Sequence, residues 1–319
     1  MASAATRGRG YADPGYAHSL FEFGLPRALP RSGGCVLERA IAGTGARDLM
    51  GPYPVFACAD WSRLADDLEA LGDCAVSLVA VVDPLAGAEA SQLERAFPDH
   101  LRTFNTHFIV DLDGPASITT HHRREVRRAA RAVEIEICAE PLERLDDWVC
   151  LYEELVARHG LVGISAFSRA SFRRQLALAG MVALRAVRHG RTVAMTLWLE
   201  DAPNAHYHLA ASSREGYEAG ASYALVAAAL EHLRERGVRR VNLGGVPAAG
   251  SRDRGLADFK RGWASEERPA RLCGRILDRT AYAELSSRGG ASGAAAGWFP
   301  AYRATDPVPA SAPKAKPAA

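Results

Sequence analysis

The order of elements between residues 143 and 245 limits the fold more than any other feature of this chain. A helix is predicted over 143–158, with Leu145, Trp148, Leu151, Tyr152 and Leu155 on its apolar side, and a second over 168–178. Three strand-like segments then follow one another without a helix between them: "MVALRAVRHG", "TVAMTLWLED" and "NAHYHLAAS". The turn His189-Gly190 joins the first two as a hairpin. A helix over 222–237 comes next, with Tyr223, Val226, Leu230 and Leu233 as its apolar stripe and Gly237 at its C-terminal cap, and "VRRVNLGG" (238–245) returns as a buried strand. Consecutive strands wrapped by helices on both sides require a layered lobe with a mixed sheet.

The first half alternates differently. "YPVFACAD" (53–60) reads as a strand, 61–72 as a helix carrying Leu64, Leu68 and Leu71, and "CAVSLVAVVDP" (74–84) as a buried strand. A helix near 88–97, a strand over 106–114 and a long helix from Ile118 to Ala132 complete the series, and a strand over 133–141 opens the second half. A chain of 319 residues is long for a single core, since cores stop growing near roughly 250 residues. The expectation is an α/β fold of mixed sheets in two lobes, 51–132 and 133–303, with an irregular lead-in over 1–50 and a disordered Pro/Ala-rich tail over 304–319.

Charge excludes some functions. The formal net charge is +2 and the pI about 8.2, too balanced for wholesale binding to nucleic acid or to a membrane surface. Cys35, Cys58, Cys74, Cys138, Cys150 and Cys273 show no metal-ligand spacing, so no metal is expected and the thiols are read as reduced and mostly buried. The N-terminal run lacks the apolar core of a signal peptide and no apolar run reaches the length of a membrane span. These features predict a soluble cytoplasmic protein without membrane insertion; nothing in the sequence sets its oligomeric state.

One basic residue stands apart. Lys260, in "GLADFKRGW", is the only lysine in the first 313 residues of a chain that otherwise uses arginine. Arginine is a flat, diffuse cation, whereas an ammonium is a compact charge that can be aimed at one oxygen. The alternative is a chance surface lysine beside Arg261.

The ordered set "HHRREVRRAAR", "VEIEI", "LYEELVARHG", "HLAASSREGYEAGASYALVAAALEHLRERGVRRVNLGG" and "GLADFKRGW" resembles the Fem-type (FemAB-like and CelD-like) branch of the GNAT acyltransferase superfamily over about residues 50 to 285. The resemblance implies two tandem GNAT-like lobes with an acceptor groove between them. It also implies transfer of an acyl or aminoacyl group from an activated donor, aminoacyl-tRNA or acyl-CoA, to an amine of a small molecule or peptide. No tightly bound cofactor is implied, and tRNA is a partner only if it is the donor. In the family a Phe-Lys pair lies at the donor site; Phe259-Lys260 matches it, which implies that Lys260 holds negative charge on the donor or the reacting carbonyl. Ser212, Ser213, Gly220 and Ala221 fall where the donor phosphate is bound, although Tyr217 occupies the first glycine position of the usual pyrophosphate loop. They bind a phosphate or merely shape the turn.

His206, Tyr207 and His208 alternate on one strand, so the two histidines share a face and Tyr207 takes the other. They are catalytic candidates for moving the amine proton or polarising the carbonyl, or else half-buried strand residues. Arg124, Arg127, Arg128 and Arg131 lie along one side of a helix, fit to grip phosphates of tRNA or of a nucleotide-linked acceptor, or simply solvated. The competing function is a non-catalytic ligand-binding module that keeps the groove without turnover.

Overall fold

The computed structural model describes residues 9–246, 253–288 and 298–304. Its helices are α1 (Pro14–Ser19), α2 (Leu64–Ala70), α3 (Ala90–Ala96), α4 (Thr120–Ala129), α5 (Leu145–His159), α6 (Arg169–Leu176), α7 (Arg214–Glu218), α8 (Ala221–Glu235), α9 (Asp253–Arg261) and α10 (Arg279–Arg288). Its strands are β1 (Leu25–Leu29), β2 (Gly34–Ala40), β3 (Arg47–Met50), β4 (Ser77–Val82), β5 (His100–Asp111), β6 (Glu134–Cys138), β7 (Met181–Arg188), β8 (Arg191–Asp201), β9 (Asn204–Ser212), β10 (Arg240–Gly245) and β11 (Glu266–Ile276). They form one mixed sheet in the order β1-β2-β3-β4-β11-β5-β10-β9-β8-β7-β6. The α/β architecture holds, and the two lobes share this sheet through the antiparallel β5–β10 pair. Segment 266–276 crosses back to lie between β4 and β5 in the first lobe.

The second lobe follows its sequence pattern closely. Strand β7 is apolar on both faces because it is covered twice: Met181 and Ala183 join the core under α5 and α6, while Val182, Leu184 and Ala186 join the core under α8. His189 and Gly190 both adopt left-handed backbone conformations, φ 50° and 73°, which a two-residue hairpin turn requires. Along the β8–β9 ladder Leu197 pairs with Leu209 and Trp198 with Tyr207, so His208 is the extra residue of a bulge.

Three expectations are corrected. Residues 9–50 are not an irregular lead-in: they form α1 and β1–β3, and Tyr11, Tyr16 and Leu20 are buried in the core shared with α5 and α6. Pro26 conceals β1 in the sequence, yet β1 is an edge strand and needs no donor on its open side. Segment 53–60 is not a strand; Pro52 and Pro54 deprive it of ladder donors, and it retains a single bridge, Phe56 to Val82. Of the cysteines, Cys74 and Cys150 are exposed and Cys138 half-buried, so only Cys35, Cys58 and Cys273 are the buried thiols expected. Apart from Ala304, the tail lies outside the described residues.

Because α1 is core and not appendage, Leu20→Ala is expected to cost about 2–5 kcal/mol, the range for emptying a fully buried leucine site. Urea unfolding of the two proteins measures it, and a loss under about 0.5 kcal/mol would contradict the packing described.

Candidate active site

Strands β9 and β10 run parallel but pair over only Asn204–His206 and Arg240–Asn242. Beyond His206 and Asn242 they part, and polar side chains collect where the ladder ends. Buried backbone and side-chain polar groups must find partners. Here most of them find one another.

Asn242 is 2 % exposed and makes most of these bonds. Its Oδ1 accepts the Gly244 N–H at 2.7 Å; its Nδ2 donates to Asp83 Oδ1 at 2.8 Å and reaches His107 Nδ1 at 3.0 Å. The second Asp83 oxygen pairs with His206 Nε2, and both residues are buried. Burial alone would raise the Asp83 carboxyl, but the His206 charge and hydrogen bond override it and hold the pKa below the usual carboxylate range. Burial alone would likewise depress His206; Asp83 reverses that and raises it. The pair is a buried imidazolium–carboxylate. His107 is pushed down to about 4, chiefly by burial, and is therefore neutral at pH 7.

Lys260 enters this cluster from the last turn of α9. Phe259 beside it packs against Tyr223, His122 and Trp263, with ring centroids 5.1, 5.7 and 6.3 Å away. Helix α9 is also tied to α4, because His122 Nε2–H donates to the Phe259 carbonyl at 2.8 Å and the ring fills the space a Gly262 side chain would need. Thus anchored, Lys260 is 8 % exposed and its Nζ donates to the Gly245 carbonyl at 2.8 Å. Among the described residues no carboxylate lies within ion-pair distance of it. Burial lowers its pKa to about 8. At neutral pH it is a largely charged ammonium, aimed by one carbonyl and without a carboxylate partner among the described residues.

The other sequence candidates fall into groups. His208 shares the face of His206 but is locked between the Tyr11 hydroxyl and Gln175 Oε1, each at 3.0 Å, and burial pushes it down to about 3. That arrangement makes a structural histidine rather than a proton acceptor. Tyr207 points to the opposite face and packs on Trp198, with burial holding its phenol well above the ordinary range. Ser213 spends its hydroxyl on Val193 O and on capping α7 through Gly216 N–H; the Ser212 carbonyl accepts from Arg158. Gly220 starts α8 in the left-handed region, φ 68°, with Ala221 as the first helical residue. The Arg128 guanidinium stands over this end, 3.1 Å from where a Gly220 Cβ would lie. Tyr217, at the first glycine position of the loop, is 76 % exposed. Arg124 and Arg127 are exposed on α4, with Arg124 close to Glu125 and His121.

The structure therefore brings Lys260, Phe259, the α8 start and the end of β10 together, with His206 one step behind. Asp83, His107, Asn242 and Tyr11 were not singled out from the sequence. Asp83, His107 and Asn242 are each a lone polar residue in or beside an apolar run and read equally as strand ends, whereas Tyr11 sits in a Gly/Arg/Pro-rich run that reads as loop. A shallow apolar cavity of about 270 Å³ lies elsewhere, between α5 and α6, with Tyr152, Val156, Phe167 and Phe172 in its wall. Among the described residues no His, Cys, Asp and Glu group could hold a metal, and no helix is long and apolar enough to cross a membrane.

Comparison with known proteins accords with this geometry. Residues 116–261 match the acetyltransferase (GNAT) domain family model. No curated protein matches the sequence. Among solved structures, that of FemX superposes with a TM-score of 0.64 at 15% identity, covering 88% of this chain and 95% of its own. The C-terminal domain of a putative lysylphosphatidylglycerol synthetase from Agrobacterium fabrum gives 0.58 at 18%, covering 83% and 88%. L-PGS from Bacillus licheniformis gives 0.56 at 14%, covering 85% and 94%. The fold is that of the FemX structure, two GNAT-like lobes side by side, and the match to the GNAT domain model falls on residues 116–261.

The Asp83–His206 pair has a pH signature. Asp83, lowered in the folded state, contributes stability that is present above about pH 4 and lost as pH falls through its folded pKa. His206, raised, contributes stability that is full below about pH 6.5 and lost as pH rises through its folded pKa. Asp83→Asn is expected to cost about 3–5 kcal/mol, with the gap to the parent protein widest between about pH 4 and 6.5. Denaturant melts across pH check this, and a pH-independent gap would deny the ion pair.

Proposed function

We propose that this chain, with its GNAT domain on a Fem-type fold, is an N-acyltransferase that moves an acyl or aminoacyl group from an activated donor to an amine of a small molecule or peptide. The observation that carries the reading is the buried, unneutralised Lys260 ammonium at the point where β9 and β10 part. A neutral amine attacking an ester or thioester carbonyl places negative charge on the carbonyl oxygen. A fixed ammonium in a water-poor site stabilises that charge more than water can. Lys260 is the group for it, steadied by Phe259, and with a pKa of about 8 it stays charged at neutral pH.

The donor's phosphates fit the start of α8 at Gly220 and Ala221, where helix N–H groups and the dipole favour an anion and Arg128 adds a cation. Arg124 and Arg127 extend this basic surface along α4. The same chemistry suits acyl-CoA and the terminal nucleotides of aminoacyl-tRNA. Neither His208 nor Tyr207 is placed to take a proton: the first is spent on two hydrogen bonds, the second faces the other core. His206 is charged on Asp83 and acts by holding that end of the crevice. As the tetrahedral adduct collapses, the C–O or C–S bond breaks and the proton lost by the amine passes to the departing ribose oxygen or thiolate sulfur, so positioning and charge stabilisation carry the rate.

Incubating the protein with either donor and a panel of amines, followed by mass spectrometry of the product, tests the reading. RNase abolishes product if the donor is aminoacyl-tRNA and leaves it unchanged if the donor is acyl-CoA. Lys260→Ala is expected to lower turnover at least ~10-fold, about 1.4 kcal/mol of transition-state stabilisation, with the fold intact. Lys260→Arg should not restore it, because a guanidinium is too large and diffuse for the same oxygen. Unchanged turnover in Lys260→Ala would remove Lys260 from the mechanism.

A further inference from the structure

Among the described residues, Lys260 makes a single hydrogen bond, to the Gly245 carbonyl. The direction of that carbonyl decides where the ammonium points. Gly245 has no freedom on its other side: an added Cβ would lie 2.4 Å from Asn105 Nδ2 and 2.8 Å from His107 Cδ2. Gly244 precedes it at φ 75°, in the left-handed region, and the β10–β5 register shifts between Asn242 and Gly245. A left-handed residue at the end of a strand turns the chain, and the turn holds its shape only if something bonds its N–H. That bond is Asn242 Oδ1 to Gly244 N, at 2.7 Å. The other end of the same amide is fixed to Asp83, which is fixed in turn to His206 of β9.

We infer that Asn242 is the positioning residue for Lys260: its side-chain amide ties the Asp83–His206 pair to the Gly244–Gly245 turn and so aims the carbonyl that holds the ammonium. Asn242 touches no substrate in this account. It links the first lobe, through Asp83 at the end of β4, to the strand that carries the turn. The inference rests on Lys260 being the charge-stabilising group, but its structural half stands without any reaction.

The charged and titratable groups around Lys260 leave its environment readable. His107 of β5 faces it and is neutral at pH 7; behind it the Asp83 and His206 charges oppose one another. On α9 itself, Asp258 and Arg261 pair with each other at 2.9 Å. A change in how deeply the ammonium is held therefore shows as a change in its own titration.

The experiment uses trace acetylation of the whole folded protein with acetic anhydride across pH, read by peptide mass spectrometry. The chain has three lysines, and Lys314 and Lys316 in the tail serve as internal references. In the parent protein Lys260 should titrate at about 8. In Asn242→Ala the turn loses its bond and the ammonium reaches water, so its midpoint should rise by about one unit toward that of an ordinary lysine. Turnover should fall about tenfold with the donor KM within about twofold, the pattern of a lost transition-state contact. Asn242→Ser, whose hydroxyl can still accept from Gly244 N–H, should recover at least half of the midpoint shift. A folded Asn242→Ala protein whose Lys260 midpoint equals the parent value overturns the inference, even if turnover falls, because the loss is then general destabilisation. Should Asn242→Ala fail to fold, Gly244→Ala distorts the same turn with Asn242 in place; it must raise the midpoint too, and an unchanged value overturns the inference. The labelling needs neither donor nor acceptor, so absence of product with every donor would refute the proposed reaction while leaving this result to stand or fall separately.

Discussion

Everything at the candidate site follows from the parting of two parallel strands. While β9 and β10 pair, their backbone groups satisfy each other; after His206 and Asn242 they cannot, and the sheet opens in the middle of the molecule. An opening there is costly unless its walls supply hydrogen bonds. The Asn242 amide, the Asp83–His206 pair and the Lys260–Gly245 bond supply them, drawing on strands from both lobes. The end of the β9–β10 ladder is thus braced from inside by side-chain hydrogen bonds.

The N-terminal segment matters to this design although it makes no chemistry. Tyr11 packs edge-on against His206, with centroids 4.9 Å apart, and bonds His208; Tyr16 reaches the Tyr53 carbonyl. One wall of the polar cluster is therefore sealed by aromatic rings, which keeps water from the Asp83–His206 pair and strengthens its attraction. Among the described residues Lys260 has no carboxylate partner, and burying an ammonium without one costs stability.

The second lobe was readable in advance because long apolar strands and a clear helical stripe leave little choice: residues 181–212 and 221–245 fold as their periodicity requires. Lys260 stands out in the sequence because it breaks the arginine habit of the first 313 residues. Other parts were hidden for physical reasons. Pro26 and the glycines of the first fifty residues mimic loop composition, although edge strands tolerate both. Strand β11 carries Pro269 and alternating charges, and its outward residues conceal that Ala270, Leu272 and Cys273 are buried. Asn242 and Asp83 are 159 positions apart and meet only through sheet order. His206 and His208 share a strand face by simple alternation, and only the bulge and the arrival of Gln175 separate an ion-paired histidine from a neutral structural one.

The central claim concerns where negative charge develops, and a crystal structure with a non-reactive donor analogue bound tests it most directly. The account predicts that the donor carbonyl oxygen lies between β9 and β10 within about 3 Å of Lys260 Nζ, hydrogen-bond distance for an ammonium and an oxygen. A donor seated with its carbonyl out of reach of Lys260, or bound away from the end of β10, would contradict it.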